Sequence, residues 1–304
     1  MKLGIVVPYY RNQDFLYRMI QSIVEQDCDS WVVVVVDDSG SDSPLLALNF
    51  LKDNPKFDFV VNDENKGLGN SWNIGVEFLL SKWKPDLIAI AHADDELEPR
   101  FVSESISIHE RYPNVFAVHT GVNIIDDEGA SKFSFPDVVK SFIRPRYKSG
   151  MIESFGDPGL AQLLRGDFIF CPTLSFKSSL IERPIFDPAW KMVIDLNLLS
   201  RSLLQRKRII GTRSKLYRYR RHSGNLTKQL NSSTIRFVEE VKLYQEVASL
   251  CEQNGFEKSS RVAKRMTIVR LHIVFQMVAA VLTGNTLLVR KLSSVLKESF
   301  KRSR

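Results

Sequence analysis

The stretch HADDELEP, residues 92–99, combines a histidine with three consecutive acidic residues, Asp94, Asp95 and Glu96. It follows the apolar run 87–91, which predicts a buried strand. Carboxylates crowded at the end of a strand repel one another unless a cation or a hydrogen-bond donor offsets their charge. Mg²⁺ and Mn²⁺ prefer such oxygen ligands and can bridge them to phosphate oxygens. The stretch therefore predicts a site for a divalent ion and a phosphorylated ligand.

A second acidic group follows another predicted strand. Asp37 and Asp38 come after the valine run 32–36, and the polar segments PYYRNQ and NDENKGLG follow two further predicted strands. In an open parallel sheet, ligands bind beyond the carboxyl ends of the strands, so we expect all these segments along one edge. Each aspartate alone could equally cap a helix or lie in a solvated loop. Their joint occurrence is what indicates a site.

Glycine-rich loops are excluded as the means of holding a phosphate. No GxGxxG follows the first predicted strand, and no GxxxxGK[ST] occurs in the chain. A nicotinamide-dependent dehydrogenase of the usual kind is therefore excluded. A nucleotidyltransferase also lacks support, because no basic glycine-rich loop follows the first strand to hold its triphosphate.

The first 125 residues alternate short apolar runs with segments of helical periodicity. Apolar runs predict strands over 3–7, 31–36, 57–61, 87–91 and 115–122. Apolar residues spaced three and four apart predict helices over 13–25, 44–52, 70–82 and 99–111. This alternation predicts an α/β fold with a mainly parallel sheet and helices on both faces. The unbroken valine run suits a strand that is covered on both sides.

The remainder of the chain changes in character near residue 230. A loop is expected over 126–156, then strands over 174–176 and 215–220 with a helix over 193–204 between them. From residue 234 the pattern is helical, over 235–251, 258–282 and 286–300. We therefore predict a body over 1–230, made of halves 1–125 and 126–230, and a basic helical extension over 231–304.

Positive charge is concentrated in that extension. The chain has 42 basic and 35 acidic residues, and residues 258–304 hold 11 of the basic ones but a single acidic one, Glu298. The rest therefore has 31 basic and 34 acidic residues. A slightly acidic body argues against nucleic acid as a partner.

Cysteine usage and the N-terminus favour a cytoplasmic protein. Cys28, Cys171 and Cys251 are far apart and match neither a disulfide framework nor a zinc site, which suits a reducing compartment. The first apolar run ends at Pro8 and is too short for the core of a signal peptide.

Residues 271–282 form the most hydrophobic segment of the extension. The segment has 12 residues and includes His272 and Gln276, whereas a spanning helix needs about 20 predominantly apolar residues. We therefore do not expect it to cross a membrane. Two interpretations are open: the helix packs on the body or on a second subunit in a homodimer, or it rests on an anionic membrane surface, peripherally on the inner face.

Several motifs in order resemble one enzyme family. VVPYYRN, VVVVDDSGSD, NKGLGNSWNIGV and HADDELEP resemble the nucleotide-sugar-binding half of inverting family 2 glycosyltransferases of the GT-A fold. FDPAWKMVIDLNLLSR and KLYRYRRHSGNLT resemble the catalytic segment and the closing strand and loop of the same family. The resemblance covers about residues 1–230 and implies a GT-A type sheet, a nucleotide-sugar donor and Mn²⁺ or Mg²⁺.

The resemblance also implies roles for residues around the nucleotide. Asp38 would accept a hydrogen bond from the base, most often uracil. The residues that would line the same pocket or lie beside the nucleoside are Pro8, Tyr9, Arg11, Asn65, Gly67 and Asn73.

Further roles concern the metal and the reaction. Asp94 matches the metal-binding aspartate of the DxD motif, through which it would also hold the nucleotide, and Asp95 would lie near the donor sugar and acceptor. Asp195 matches the general base, although it could also cap a helix. His222 matches a position that contacts the metal or diphosphate, although it could also be a surface turn residue. His92 replaces the first aspartate of DxD, and an imidazole can bond a ribose hydroxyl or ligate Mn²⁺ but carries no negative charge.

The implied activity is metal-dependent sugar transfer with inversion. The donor would be a UDP-sugar and the acceptor a glycan or lipid-linked hydroxyl, in bacterial surface polysaccharide assembly. The alternative is a non-catalytic scaffold on the same fold that binds a nucleotide or a glycan, and the substitution at His92 and the helical extension motivate it.

Overall fold

The computed structural model describes residues 1–40, 54–132, 145, 147, 149–222 and 234–301. The helix expected over 44–52 and the turn after His222 lie outside these described residues. Among the described residues a single mixed sheet has nine strands. They are β1 Leu3–Tyr9, β2 Trp31–Asp37, β3 Phe57–Val61, β4 Leu87–Ile90, β5 Glu96–Leu97, β6 Val115–Ile125, β7 Met151–Ser154, β8 Leu174–Lys177 and β9 Arg208–Arg220.

The sheet is mostly parallel, as the strand–helix alternation predicts. Its order is β3-β2-β1-β4-β8-β6-β9-β5, and β7 also pairs with β9. The strands β1 to β4, β6 and β9 run in one direction, whereas β5, β7 and β8 run against their neighbours. The carboxyl ends of β2, β4, β6 and β9 therefore lie at the same edge of the sheet.

Helices cover both faces of this sheet. The helices of the body are α1 Gln13–Val24, α2 Leu68–Lys82, α3 Phe101–Arg111, α4 Gly156–Arg165 and α5 Ile194–Leu204. Alternate residues of β2 point to opposite faces. Val34 and Val36 belong to the apolar cluster that includes α2, and Val33 and Val35 belong to the cluster that includes α1. The valine run is thus covered on both sides, as predicted.

Close packing of α2 on β1 depends on one glycine. A Cβ atom placed on Gly75 would lie 2.3 Å from Cγ1 of Val6, so only a residue without a side chain lets the helix approach this closely. Trp72 lies one turn earlier on α2 and is 3% exposed. Gly75 therefore helps to set the distance between the sheet and the helix that carries Trp72.

The C-terminal helices continue the main core. They are α6 Ile235–Gln253, α7 Glu257–Arg265, α8 Thr267–Leu282 and α9 Thr286–Glu298. Phe237, Val247 and Ile273 are buried in the same apolar cluster as Val34 and Val36. The extension is therefore packed on the body through a shared core, and α6 is as much a part of that core as α5.

Two expectations about the second half need correction. The helix expected over 258–282 is divided at Met266, whose φ of 45° ends α7 and starts α8. The segment expected as a loop over 126–156 contains β7, which pairs with β9. A four-residue strand such as β7 is too short for its periodicity to be recognised.

One described stretch meets the criteria of a membrane-crossing helix in length and composition. It is Glu257–Leu282, with a mean hydropathy of 1.5 over its most apolar 18 residues, of which 22% are buried in the protein. This differs from the expectation drawn from 271–282 alone. The division at Met266 leaves α8 with 16 residues, or about 24 Å, whereas the hydrocarbon core of a bilayer is about 30 Å thick.

His109 makes the stability of the fold depend on pH. The side chain is buried on α3, and its Nε2 lies 3.0 Å from Oγ of Ser175 in β8. Burial lowers the pKa of His109 from 6.5 to about 4. Between these values the unfolded chain binds a proton that the folded protein does not, so the contribution of His109 to stability is lost as the pH falls.

We predict that the variant His109→Gln, which cannot titrate, loses less stability on acidification than the wild type. As the pH falls from about 6.5 to about 4, the free energy of unfolding of the wild type should decrease relative to that of the variant by up to roughly 1.4 kcal/mol per pH unit. Urea denaturation at several pH values measures both proteins. A difference between them that is constant over this range would contradict the prediction.

Candidate functional site

The HADD segment forms a tight turn immediately after β4. The backbone N–H of Asp95 donates to the carbonyl oxygen of His92 at 3.1 Å, which closes the turn. The N–H of His92 donates to the hydroxyl of Tyr217 in β9 at 3.1 Å. The turn is thus held at the sheet edge by a strand that lies far away in the sequence.

Asp95 is the buried anchor of this turn. Its Oδ2 accepts a hydrogen bond from the Tyr217 hydroxyl at 2.9 Å, and its Oδ1 accepts one from the backbone N–H of Arg220 at 2.7 Å. Burial raises the pKa of Asp95 well above its usual range, and the charge of Asp94 raises it further. Burial likewise raises the pKa of Tyr217, so the phenol keeps the proton it donates.

Asp95 is expected to contact the donor sugar and acceptor, but its side chain does not face outwards. The side chain is 1% exposed, and both of its oxygens accept hydrogen bonds from β9. The physical reason is that the turn after β4 directs this carboxylate back into the fold, towards Tyr217. Asp95 positions its neighbours, and Asp94 is the aspartate that faces outwards.

Arg220 joins this turn to the end of β6. Its side chain is fully buried, and Nε donates to the carbonyl oxygen of Asp94 at 2.9 Å. Nη1 donates to the carbonyl oxygens of Asp126 and Asp127 at 2.6 and 2.9 Å. Nη2 forms an ion pair with Glu96, and the guanidinium lies 4.9 Å from the ring centre of Phe15. The charge of Arg220 is thus compensated inside the protein.

The structure brings Asp94 and His222 together at the sheet edge. Nε2 of His222 lies 3.0 Å from Oδ2 of Asp94, and the His222 ring packs against Phe15 with centroids 5.0 Å apart. Burial alone would raise the pKa of Asp94. The hydrogen bond to His222, together with the nearby imidazoles, outweighs that effect and lowers the pKa of Asp94. Asp94 is therefore a carboxylate that stays ionised.

The ring of His92 packs against an aromatic side chain of the core. Its ring stacks on Trp72 of α2, with centroids 5.6 Å apart and an interplanar angle of 24°. Burial lowers the pKa of His92, although the charge of Asp94 opposes this, so the imidazole tends to be neutral. Its Nε2 is buried and has no hydrogen-bond partner among the described residues. A neutral imidazole with an unpartnered nitrogen is suited to bind an ion or a polar ligand.

The donor set at this turn fits a divalent metal ion. Ligand atoms of His92, Asp94 and Asp95 all lie within 4.8 Å of one another. Asp94 is 32% exposed and is the more accessible of the two carboxylates. A nitrogen beside carboxylate oxygens suits Mn²⁺ better than Mg²⁺, which prefers oxygen ligands.

Asp38 organises the loop between β3 and α2. Its Oδ1 accepts hydrogen bonds from Nδ2 of Asn62 and from the backbone N–H of Lys66, both at 2.8 Å. Its Oδ2 accepts one from the N–H of Gly67 at 2.9 Å. Gly67 has φ 82° and precedes α2, and Asn65 accepts a second hydrogen bond from the same N–H at 3.0 Å. Asp38, Asn65 and Gly67 thus form one hydrogen-bonded unit.

Asn73 has a different place from the one expected beside the nucleoside. Its Nδ2 donates to the carbonyl oxygen of Phe186 at 2.7 Å, and its Oδ1 accepts from the N–H of Phe186 at 3.0 Å. Both ends of the amide are therefore used to tie α2 to the chain that leads to α5. Trp72 supports the same junction, because its ring lies 4.8 Å from that of Phe186.

Tyr9 does not line an open pocket. It is 2% exposed and packs with Leu3, Ile5 and Val7, because β1 extends to Tyr9 and alternation places these residues on one face. Burial raises the pKa of its hydroxyl to about 12. Pro8 on the opposite face is partly exposed, and Arg11 is exposed with φ 64°. The guanidinium of Arg11 lies over the ring of Tyr10, 4.9 Å from its centre.

Asp195 is not the cap of α5. The helix begins at Ile194 after the cap residue Val193, and Oδ1 of Asp195 accepts a hydrogen bond from the N–H of Leu196 at 2.8 Å. The free N–H groups before the helix are instead bound by Glu239 of α6. Its Oε2 accepts from Met192 at 2.8 Å, and its carboxylate also accepts from Lys191 at 3.1 Å.

Four structural residues of the site were not identified from the sequence: Trp72, Tyr217, Arg220 and Glu239. Tyr217 and Arg220 are part of the KLYRYRRHSGNLT motif, but they are three residues apart, so strand alternation places them on opposite faces and could not have marked both as buried. Trp72 lies within NKGLGNSWNIGV, where an aromatic residue is also expected in an ordinary core. Glu239 had no local signal, because its partners lie on another part of the chain.

Comparison with known proteins identifies the family. The model of glycosyl transferase family 2 matches residues 4–166, which is more than half of the chain. The chain belongs to this family. Eight curated proteins also match, and the matched segments span 18% to 57% of their lengths.

One relative and two solved structures illustrate the similarity. The succinoglycan biosynthesis protein ExoO of Rhizobium meliloti is 31% identical over 94 residues, which are 31% of this chain and 26% of ExoO. S. aureus TarS 1-349 in complex with UDP-GlcNAc has a TM-score of 0.61 at 15% identity, over 82% of this chain and 66% of that one. The mannosyltransferase PcManGT from Pyrobaculum calidifontis, in complex with GDP-Man and Mn²⁺, has a TM-score of 0.60 at 14% identity, over 98% of this chain and 85% of that one. The structural likenesses establish a GT-A glycosyltransferase fold.

We predict that Tyr217→Phe destabilises the protein by about 1–3 kcal/mol, because it leaves a buried oxygen of Asp95 and the buried N–H of His92 without their partner. Chemical denaturation of both proteins measures the difference. Tyr112→Phe is the matched control, since the Tyr112 hydroxyl has no hydrogen bond among the described residues, and it should change stability by less than about 0.5 kcal/mol. Equal stability losses in the two variants would refute the assigned role of Tyr217.

Proposed function

We propose that this protein transfers a sugar from a nucleotide-sugar donor, in the first instance a UDP-sugar, to a hydroxyl group of an acceptor. The observation that carries the proposal is the meeting of Asp94, His222 and His92 at the edge where β4 and β9 end. Family membership supports transfer as the reaction class. The neighbours TarS and PcManGT were solved with UDP-GlcNAc and GDP-Man, which supports a nucleotide-sugar as the donor.

We further propose that a divalent ion, Mn²⁺ or Mg²⁺, binds at Asp94 with His92 and His222 beside it. When bound, the ion stabilises negative charge on the departing diphosphate. The Mn²⁺ of PcManGT and the donor set of this turn support the assignment. His222 neighbours Asp94 just after the end of β9, so it holds that carboxylate in place.

The nucleoside is assigned to the hydrogen-bonded unit of Asp38, Asn65 and Gly67. Asp38 accepts a single hydrogen bond at Oδ2 from this unit, and a carboxylate oxygen can accept a second, here from the base. Pro8 and the exposed Arg11 form the other side of the proposed pocket, at the end of β1. Arg11 can add positive charge near the phosphates.

Asp195 is proposed as the general base. A carboxylate on the acceptor side takes the proton of the attacking hydroxyl, which then displaces the nucleoside diphosphate directly and inverts the anomeric carbon. Glu239 supports this role because it fixes the backbone just before α5, and Asn73 supports it by tying the preceding segment to α2. Because the acceptor hydroxyl attacks directly, no side chain of the enzyme needs to act as a covalent nucleophile.

The acceptor is proposed to be a glycan or a lipid-linked sugar of bacterial surface polysaccharide. The succinoglycan biosynthesis protein ExoO supports this setting. The protein would work in the cytoplasm, and its C-terminal helices would attach it to the inner face of the membrane or join two copies of the chain. The second candidate function, a scaffold that binds nucleotide without transfer, is favoured by His92 alone.

We predict that the purified chain releases nucleoside diphosphate from a panel of UDP-sugars and GDP-mannose with Mn²⁺. Asp94→Asn and Asp195→Asn should each slow this release by at least about 100-fold. Calorimetry with UDP and Mn²⁺ separates their roles, because Asp94→Asn should weaken nucleotide binding whereas Asp195→Asn should leave it unchanged.

Asp127→Asn is the control, since Asp127 presents an exposed carboxylate at the same edge. It should retain the activity of the wild type. Undiminished release by both Asp94→Asn and Asp195→Asn would refute the proposed roles. Tight nucleotide binding without transfer to any tested acceptor would favour the scaffold.

A further inference from the structure

Helix α8 presents a continuous apolar face to solvent. The exposed side chains are Leu271, Val274, Phe275, Val278, Val281 and Leu282, with exposed fractions between 44% and 82%. Their spacing of three, one, three, three and one residues places them on one side of a helix. The opposite side, with Val269, Ile273 and Ala280, is buried against the protein. The exposed face is therefore a second apolar surface that the fold itself does not use.

Exposed basic residues lie on α7 and α9, the helices before and after α8 in the chain, and shortly after α9; together they are called the basic border. They are Lys258, Arg261, Lys264, Arg265, Arg290, Lys291, Lys297 and Lys301. Lys264 forms an ion pair with Glu252, and Lys301 forms one with Glu298. The other six have no ion pair among the described residues. The segment that contains the apolar face thus carries a net positive charge, whereas the rest of the chain has a small excess of acidic residues.

We propose that this surface, the exposed face of α8 with its basic border, docks on a bilayer that contains anionic phospholipids. Apolar side chains would enter the boundary between headgroups and acyl chains, and the basic border would lie among the phosphates. The proposal deepens the proposed function, because it names the surface that brings the enzyme to a lipid-linked acceptor. Docking itself requires neither donor nor turnover.

Charge decides between a bilayer and a second copy of the chain. Two copies that met through this face would bring their basic borders together, and the repulsion would oppose association. An anionic bilayer offers the complementary charge. The helix lies on the bilayer and does not cross it, because α8 is about 24 Å long and its buried side remains packed on the body.

Vesicle flotation with the full-length protein tests the docking surface. We expect flotation with vesicles of phosphatidylcholine and phosphatidylglycerol, little flotation with phosphatidylcholine alone, and release at high salt. Phe275→Asp with Val278→Asp should reduce the bound fraction at least tenfold. Arg290→Glu with Lys291→Glu should do the same, whereas Phe275→Trp should retain binding and shift tryptophan fluorescence to shorter wavelength on contact with vesicles.

Matched controls keep the result specific. Val24→Asp places a charge on another exposed apolar residue, and Arg111→Glu with Lys215→Glu changes charge by the same amount outside the border. Both should float as the wild type does.

Failure of the wild type to float, or equal flotation on neutral vesicles, would overturn the proposal. So would a dimer in vesicle-free solution that Phe275→Asp abolishes, which would assign the face to a second copy. Nucleoside diphosphate release without vesicles is scored separately, so the two proposals fail independently.

Discussion

The buried guanidinium of Arg220 is the interaction on which the rest of the site depends. It reaches the backbone at the ends of β4 and β6 and pairs with Glu96, while the backbone N–H of Arg220 donates to Asp95. A charged group without solvent is costly unless it is paired and fully hydrogen-bonded, and this one is both. The loops that end three strands are thereby fixed relative to one another before any ligand arrives.

Three adjacent acidic residues have three different tasks because of this arrangement. Asp95 points inwards and anchors the turn, and Glu96 in β5 compensates Arg218 and Arg220. Asp94 is left at the surface of the turn with His222 beside it. The repulsion expected from three neighbouring carboxylates is therefore relieved mostly by protein cations and donors. A metal ion needs to balance only the part that faces outwards.

The two halves of the body and the C-terminal helices are joined by hydrogen bonds at the proposed catalytic segment. Asn73 of α2 holds the chain at Phe186, and Glu239 of α6 holds the backbone before α5. Helix α6 shares the main apolar core with the sheet, so this support is rigid. Helix α8 is different, since one side of it is apolar and exposed. The C-terminal helices thus fix the backbone before α5 and also expose an apolar face.

The sequence alone determined the order of strands and helices along the chain, the covered valine strand and the placing of Asp38 and Asp94 after the carboxyl ends of β2 and β4, because periodicity and motif order are local properties of the chain. It could not determine which carboxylates face outwards. Asp95 owes its place to partners 122 and 125 residues away, and Tyr9 is buried only because β1 continues one alternation further than the pattern predicts. Only the tertiary structure decided these roles, since the state of a carboxylate or a phenol depends on the burial and donors that distant residues provide.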